Sequence, residues 1–211
     1  MLSLFEQLPA LAVAVCLGFV AGITIHEASH AWSAYMLGDD TAYRQGRVTL
    51  NPVSHLDLLG TVMLFMVGFG WGKPTPVTPS NLRWGRLGAV AVAFAGPLSN
   101  LLVVFVCATF YLFPQFREGY LQLIVVGVAF TNALLFVFNL IPIPPLDGSK
   151  VLFPFLPRTL DGFVDFMNQY GPFILFGLVL LTWLPGAASP LNYVLVPVRP
   201  ILLLLGLPPL F

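Results

Sequence analysis

The chain has 211 residues, 58% of them hydrophobic and 9% charged, with a net charge of zero and a mean hydropathy of +0.90. A soluble domain carries about a quarter charged residues, so the composition excludes an ordinary soluble domain and points to a membrane protein. The balanced charge leaves no electrostatic footprint for nucleic acid, and the length suits a single domain over residues 1–211.

Residues 1–8 contain Glu6 and no Lys or Arg, so the positive region of a secretory signal peptide is missing. Pro9 to about Leu37 predicts a first spanning helix, apolar except for Thr24, His26, Glu27, Ser29 and His30 late in its run. Gly38, Asp39 and Asp40 stop it. Residues 41–54 read as a short β-hairpin or loop, from strand-prone Tyr43, Val48, Thr49 and Leu50, a turn at Gln45-Gly46 and a stop at Asn51-Pro52. Residues 57–71 are apolar but fall short of the roughly 20 residues a span needs, which predicts a re-entrant segment. Gly68, Gly70, Gly72 and Pro74 break it.

Residues 87–113 predict a second span, with Gly96-Pro97 as a close helix contact or kink. Residues 114–119 are a tight connection and 120–141 span again. Asn132 and Asn139 share a face of that helix, and Asn132 with Asn100 reads as a polar pair between helices. Pro142, Pro144 and Pro145 end the helix before Leu146-Asp147-Gly148. Residues 149–169 are partly amphipathic; 171–184 and 191–207 are apolar and interrupted by proline. Cys16 and Cys107 sit in apolar runs as small buried side chains. The expected fold is an all-α polytopic membrane protein, a bundle of about five transmembrane helices with one re-entrant segment and a short β-hairpin.

HEASH, residues 26–30, carries the chemistry. Positions i and i+4 of a helix lie on one face, so His26 and His30 can hold one metal while Glu27 reaches a water on it. Ionisable groups in a membrane helix cost roughly 2.5–3.5 kcal/mol each, so three within five residues need a compensating role, and a metal supplies it. A catalytic zinc takes three protein ligands and keeps one position open. Candidates for the third are Asp147, His55, Asp57 and the other carboxylates. Asp147 leads, because it follows a proline break just past a span, where irregular backbone is tolerated only against protein or a wet cavity. It also reads as a turn residue, Asp-Gly being a common turn pair.

HEASH in a membrane helix, AGPLSN (95–100) and NLIPIPPLDG (139–148) resemble the site-2 protease family of intramembrane zinc proteases, as do RVTLNPVSHLDLLGT (47–61) and GWGKPTPVTPSNLR (70–83). The likeness covers about residues 20–155 and is to the short prokaryotic members. It implies one Zn2+ per chain held by His26, His30 and Asp147, Glu27 as catalytic base, and Asn139 helping to hold the substrate strand. Similar sequences commonly place Pro after the Asp of the HxD segment; Leu58 stands there here, which bears on the local turn and not on the zinc ligands. His55 stays open between polarising the scissile carbonyl, supporting the ligands, adding a ligand, and being a loop histidine in contact with Asp57.

One metal bound by both His26 and Asp147 requires the exits of the first span and of 120–141 to share a side, which holds when 57–71 dips in and returns. Arg44, Arg47, Lys73, Arg83, Arg86, Lys150 and Arg158 then share that side against Arg117, with Arg199 assigned to neither, so it is cytoplasmic in a prokaryotic cell membrane. The expected activity is zinc-dependent hydrolysis of a peptide bond in a membrane-spanning or membrane-tethered protein, with Glu27 moving the proton. The substrate would bind as an extended strand, against an edge in residues 41–52. The rival reading is a membrane metal-ion transporter or sensor that uses the same His/Asp cluster. The partners expected are the transmembrane protein substrate and the lipid bilayer, with no nucleic acid.

Overall fold

The structure, a computed structural model, describes residues 9–67, 70–181 and 191–208. The long helices are α1 (Pro9–Met36), α4 (Arg86–Tyr111), α5 (Gly119–Asn139) and α7 (Asp161–Leu181). Between them lie α2 (Thr41–Arg44), α3 (Leu58–Val67) and α6 (Asp147–Leu152), and α8 (Leu191–Leu195) and α9 (Val198–Leu204) follow. Among the described residues four helices are long and apolar enough to cross a membrane: α1, α4, α5 and α7 with the turn leading into it.

The centre is the three-helix group α1, α4 and α5. Lipid tails are as apolar as leucine, so helices in a bilayer gain little from burying apolar surface, and close van der Waals packing must hold them. Small residues permit that approach. A Cβ on Gly127 would lie 2.6 Å from the Ala14 Cβ, and one on Gly18 2.9 Å from the Thr131 hydroxyl. On the far side, Val198, Leu202 and Leu207 pack with Val104, Cys107, Val125 and Ala129. Cys107 is buried and Cys16 half-buried, both as free thiols.

α1 ends where Gly38 turns to φ +102°, a conformation that favours glycine, and the Asp39 amide returns to the Ala34 carbonyl at 2.9 Å. The buried Asp39 carboxylate then accepts from the Thr41 and Thr78 amides and from Asn81 Nδ2. Burial pushes its carboxyl up, but these bonds and that of the Thr41 hydroxyl outweigh it and hold it below the ordinary value. Its contribution to stability is therefore present above the unfolded carboxyl range and is lost as pH falls through the depressed value. The Arg83 amide donates to the Leu37 carbonyl at 2.7 Å, so residues 37–85 leave and rejoin the core at one end.

Three expectations change. Residues 41–54 form no hairpin: they are α2, a loop and a 3-10 turn over Pro52–Ser54, and the described residues contain no strand. Local bonds replace the ladder, because Arg44 pairs with Asp40, the Thr49 hydroxyl accepts from the Asn51 amide, and Asn51 Oδ1 accepts from the Val53 amide. No strand edge exists there for a substrate. Among the described residues the candidate spans number four and not five: 191–207 breaks at Pro197 into α8 and α9, while α7 runs through Pro172 and joins part of 149–169 to the run that begins at 171.

The apolar stretch 57–71 holds the 10-residue α3, whose flanks meet. Leu56 and Gly72 form an isolated antiparallel bridge, and the Lys73 amide donates to the His55 carbonyl at 2.7 Å. Asp57 Oδ1 accepts from the Gly60 amide at 2.8 Å at the start of α3, so Leu58 serves at a first-turn position where proline is also at home. The signal-peptide reading of residues 1–8, the break at Gly68 and residues 182–184 of the apolar run 171–184 lie outside the described residues.

Candidate metal centre

His26 and His30, one turn apart on α1, meet edge to face with ring centroids 4.6 Å apart. Their Nε2 atoms are 3.0 Å apart, and Asp147 Oδ2 lies 3.0 Å from the first and 3.1 Å from the second. All three residues are buried. Asp147 opens α6 directly after the proline turn. A Cβ on Gly148 would sit 2.2 Å from the Leu140 carbonyl oxygen, so only glycine lets the chain double back beneath the end of α5. Lys150 Nζ holds the other Asp147 oxygen at 3.1 Å.

The donor set fits a metal. His30 Nδ1 donates to the Val92 carbonyl at 2.7 Å and His26 Nδ1 to Asn100 Oδ1 at 2.8 Å. Both partners are oxygens that only accept, so Nδ1 carries the proton in each neutral ring and Nε2 is left as a bare lone pair. With both rings neutral, two lone pairs and a carboxylate oxygen converge, an arrangement that a cation satisfies. Tetrahedral zinc with bonds of about 2.0–2.1 Å holds its ligand atoms roughly 3.3 Å apart, close to the spacing here. Two imidazoles and one carboxylate, with a fourth position left over, match a catalytic zinc. This is the one such cluster among the described residues.

Asn100 and Asn132, both fully buried, anchor the first ligand. Asn100 Nδ2 donates to the Gly22 carbonyl at 3.1 Å and to Asn132 Oδ1 at 3.0 Å, and Asn132 Nδ2 donates to the Val128 carbonyl at 2.9 Å. The expected polar pair between helices is present, and it also fixes the His26 ring. Asn100→Leu is expected to weaken zinc binding about 10–100-fold with the helices retained, read by competition with a chromophoric chelator.

Glu27 lies one residue along α1 from His26. Its Oε2 accepts from the Thr75 amide at 2.8 Å, and the Thr75 hydroxyl donates to the Glu27 carbonyl at 3.0 Å. Oε1 takes no part in these bonds. Arg47 NH2 stands 3.9 Å from Oε2.

The structure brings His26, His30 and Asp147 together and keeps His55 and Asp57 out of that cluster. His55 is fully buried and donates from Nε2 to the Thr49 carbonyl at 2.8 Å, while its Nδ1 has no partner. Burial, opposed by the bond to Thr49 and aided by the Arg47 charge, pushes its imidazole below the ordinary value, so the ring is neutral. Asn139 donates to the Leu135 carbonyl of its own helix at 3.0 Å. Gly96, read from the sequence as a close helix contact near the site, packs against both histidines, whereas the roles of Arg47, Thr75 and Lys150 are features that sequence reasoning missed. Glycine in AGPLSN carried the nearest signal; Arg47 and Thr75 gave none, since each acts across more than 20 residues of chain.

Comparison with known proteins points to zinc as the metal. The chain is 38% identical over 174 residues, 77% of its length, to YwhC of Bacillus subtilis (strain 168), a protein named as a zinc metalloprotease, and the match covers 78% of that protein. It is 36% identical over 155 residues to Rip2 of Mycobacterium tuberculosis, also named as a zinc metalloprotease, covering 70% of this chain and 59% of Rip2. It is 29% identical over 178 residues to Rip2 of Mycolicibacterium smegmatis, covering 81% and 67%. No family model and no solved structure matches.

Proposed function

The chain belongs to the site-2 protease family of zinc metalloproteases, and on that premise we propose that it is an endopeptidase cutting a membrane-spanning or membrane-tethered protein within or beside the bilayer. The observation that carries the reading is the buried His26, His30 and Asp147 triad, set among helices apolar enough to cross a membrane, with Glu27 tethered beside it.

His26, His30 and Asp147 would hold the metal. Zinc bound there would supply Lewis acidity to the hydrolysis. The Val92 carbonyl and Asn100 keep both imidazoles turned with Nε2 inward. Glu27 takes the proton of the attacking water at Oε1 and returns it to the leaving amine. The Thr75 amide keeps Oε2 out of that exchange. Asn139, at the end of α5, helps hold the substrate strand, and neutral His55 supports the polar wall near Glu27. A transporter or sensor has no use for a tethered carboxylate at this position, and the relatives are named as metalloproteases, so that reading is not favoured.

In the membrane, α3 dips in and returns, as its bridged flanks suggest. The zinc side is cytoplasmic: Arg44, Lys73, Arg83, Arg86, Lys150 and Arg158 share it, while buried Arg47 adds no free charge. Accessibility labelling should find Arg44→Cys and Arg158→Cys on one face and Arg117→Cys on the other; labels at 44 and 158 on opposite faces contradict this topology. The activity itself is tested with the purified chain in liposomes beside single-span test substrates. Cleavage that a chelator stops and zinc restores is expected. Cleavage indifferent to the chelator contradicts the reading.

A further inference from the structure

Arg47 is the one lysine or arginine buried among the described residues, at 3% exposure. A guanidinium taken out of water is costly unless charge and hydrogen bonds compensate it. Its compensation comes almost wholly from one short stretch of chain. NH2 donates to the Lys73 carbonyl at 2.5 Å and to the Thr75 hydroxyl at 3.4 Å, and NH1 donates to the Pro74 carbonyl at 3.3 Å. Its carboxylate neighbour is Glu27, 3.9 Å away.

That stretch lies flat on α1 at the level of Glu27. A Cβ on Gly72 would meet Ile23 Cγ2 at 2.6 Å and stand 3.6 Å from Glu27 Cγ, so glycine lets the chain press down on the helix. The Lys73 amide is anchored to the His55 carbonyl. Between the Arg47-held carbonyls of Lys73 and Pro74 and the tethered Thr78 amide, the Thr75 amide is presented to Glu27 Oε2 at 2.8 Å. Lysine would do this only in part: it offers a point charge, whereas the planar fork reaches two successive carbonyls at once.

We propose that Arg47 is a positioning residue for the catalytic base: it fixes the 73–75 strap so that the Thr75 amide pins one oxygen of Glu27 and leaves the other aimed at the reacting water. The inference rests on Glu27 being the base. Arg47 is not among the metal-binding residues; besides its 3.9 Å ion pair with Glu27 Oε2 it acts through the strap that presents Thr75. A misplacement of about 1 Å in a catalytic group costs on the order of 100-fold in rate, so the clamp shows in kcat and leaves zinc binding and KM alone.

The test compares wild type, Arg47→Met, Arg47→Lys, Thr75→Pro, which removes the amide donor, and Thr75→Val, which keeps it. Arg47→Met and Thr75→Pro are each expected to lower kcat about 100-fold with KM and zinc affinity within about threefold, and Arg47→Lys to recover part of the loss. Because the two residues act in series, Arg47→Met with Thr75→Pro should lose little more than the worse single variant. Losses that multiply overturn the proposal, as does an undiminished kcat in Arg47→Met. Should Arg47→Met fail to assemble, Arg47→Lys and Thr75→Pro decide by the same comparison. Amide hydrogen exchange at Thr75 reads the clamp without cleavage: it should rise at least about 10-fold in Arg47→Met or Arg47→Lys, and unchanged exchange overturns the proposal. Absence of cleavage by the wild type would remove the peptidase reading, while the exchange measurement would still decide the clamp.

Discussion

Glu27→Gln is expected to bind zinc within about threefold of the wild type and to lose on the order of 1,000-fold or more in kcat. Glutamine keeps the shape of glutamate and still offers an oxygen to the Thr75 amide, so the strap over the site keeps its tether. His26, His30 and Asp147 are untouched, and their orientation depends on Asn100, Val92 and the α6 turn, not on Glu27. The substitution therefore separates holding the metal from moving the proton. Measured zinc content beside single-turnover cleavage reads the two apart. A variant that keeps zinc and cleaves within tenfold of wild type would remove Glu27 from the role of base.

Gly96→Ala is expected to abolish the metal site with the helices still formed. A Cβ built on Gly96 lies 2.4 Å from His30 Nε2, 2.5 Å from His30 Cε1 and 2.7 Å from His26 Nε2. These contacts are far inside van der Waals distance, and neither ring has room to give way. His30 is fixed at Nδ1 by the Val92 carbonyl, one turn earlier on the same helix as Gly96, and His26 is fixed by Asn100, one turn later. Moving the rings breaks those bonds; moving α4 opens its packing on α1. Either way the lone pairs no longer converge, and zinc affinity should fall at least about 100-fold. Gly177→Ala, at a position on α7 with open space around it, should keep full zinc affinity. Normal zinc binding by Gly96→Ala would contradict the packing of α4 against the cluster.

Parts of this site were legible in the sequence for physical reasons. His26, Glu27 and His30 stand out because helical spacing puts the histidines together and because ionisable groups in an apolar helix demand compensation. The limits of α1, α4 and α5 follow from apolar run lengths bounded by Gly38, Arg86 and the prolines after Asn139. Asp147 needed more: its neighbours show a turn, and only the doubling back at Gly148 carries it to the histidines. The hairpin over 41–54 failed because Tyr43, Val48 and Thr49 favour strand by propensity, while Asp40, Thr49 and Asn51 satisfy the backbone and Arg44 locally. The fifth span failed because apolar composition over 191–207 outvoted Pro197. Arg47 reads in sequence as one more positive charge on the cytoplasmic side; its burial depends on carbonyls 26 and 27 residues away.

The most direct measurement is mass spectrometry of the products that the purified, zinc-loaded chain makes from a single-span test substrate in liposomes, with Glu27→Gln alongside. New termini within the span or at its edge, formed by the wild type and missing with Glu27→Gln, are the expected result. Cuts confined to the soluble parts of the substrate, or the same termini from both proteins, would contradict an intramembrane peptidase built on Glu27.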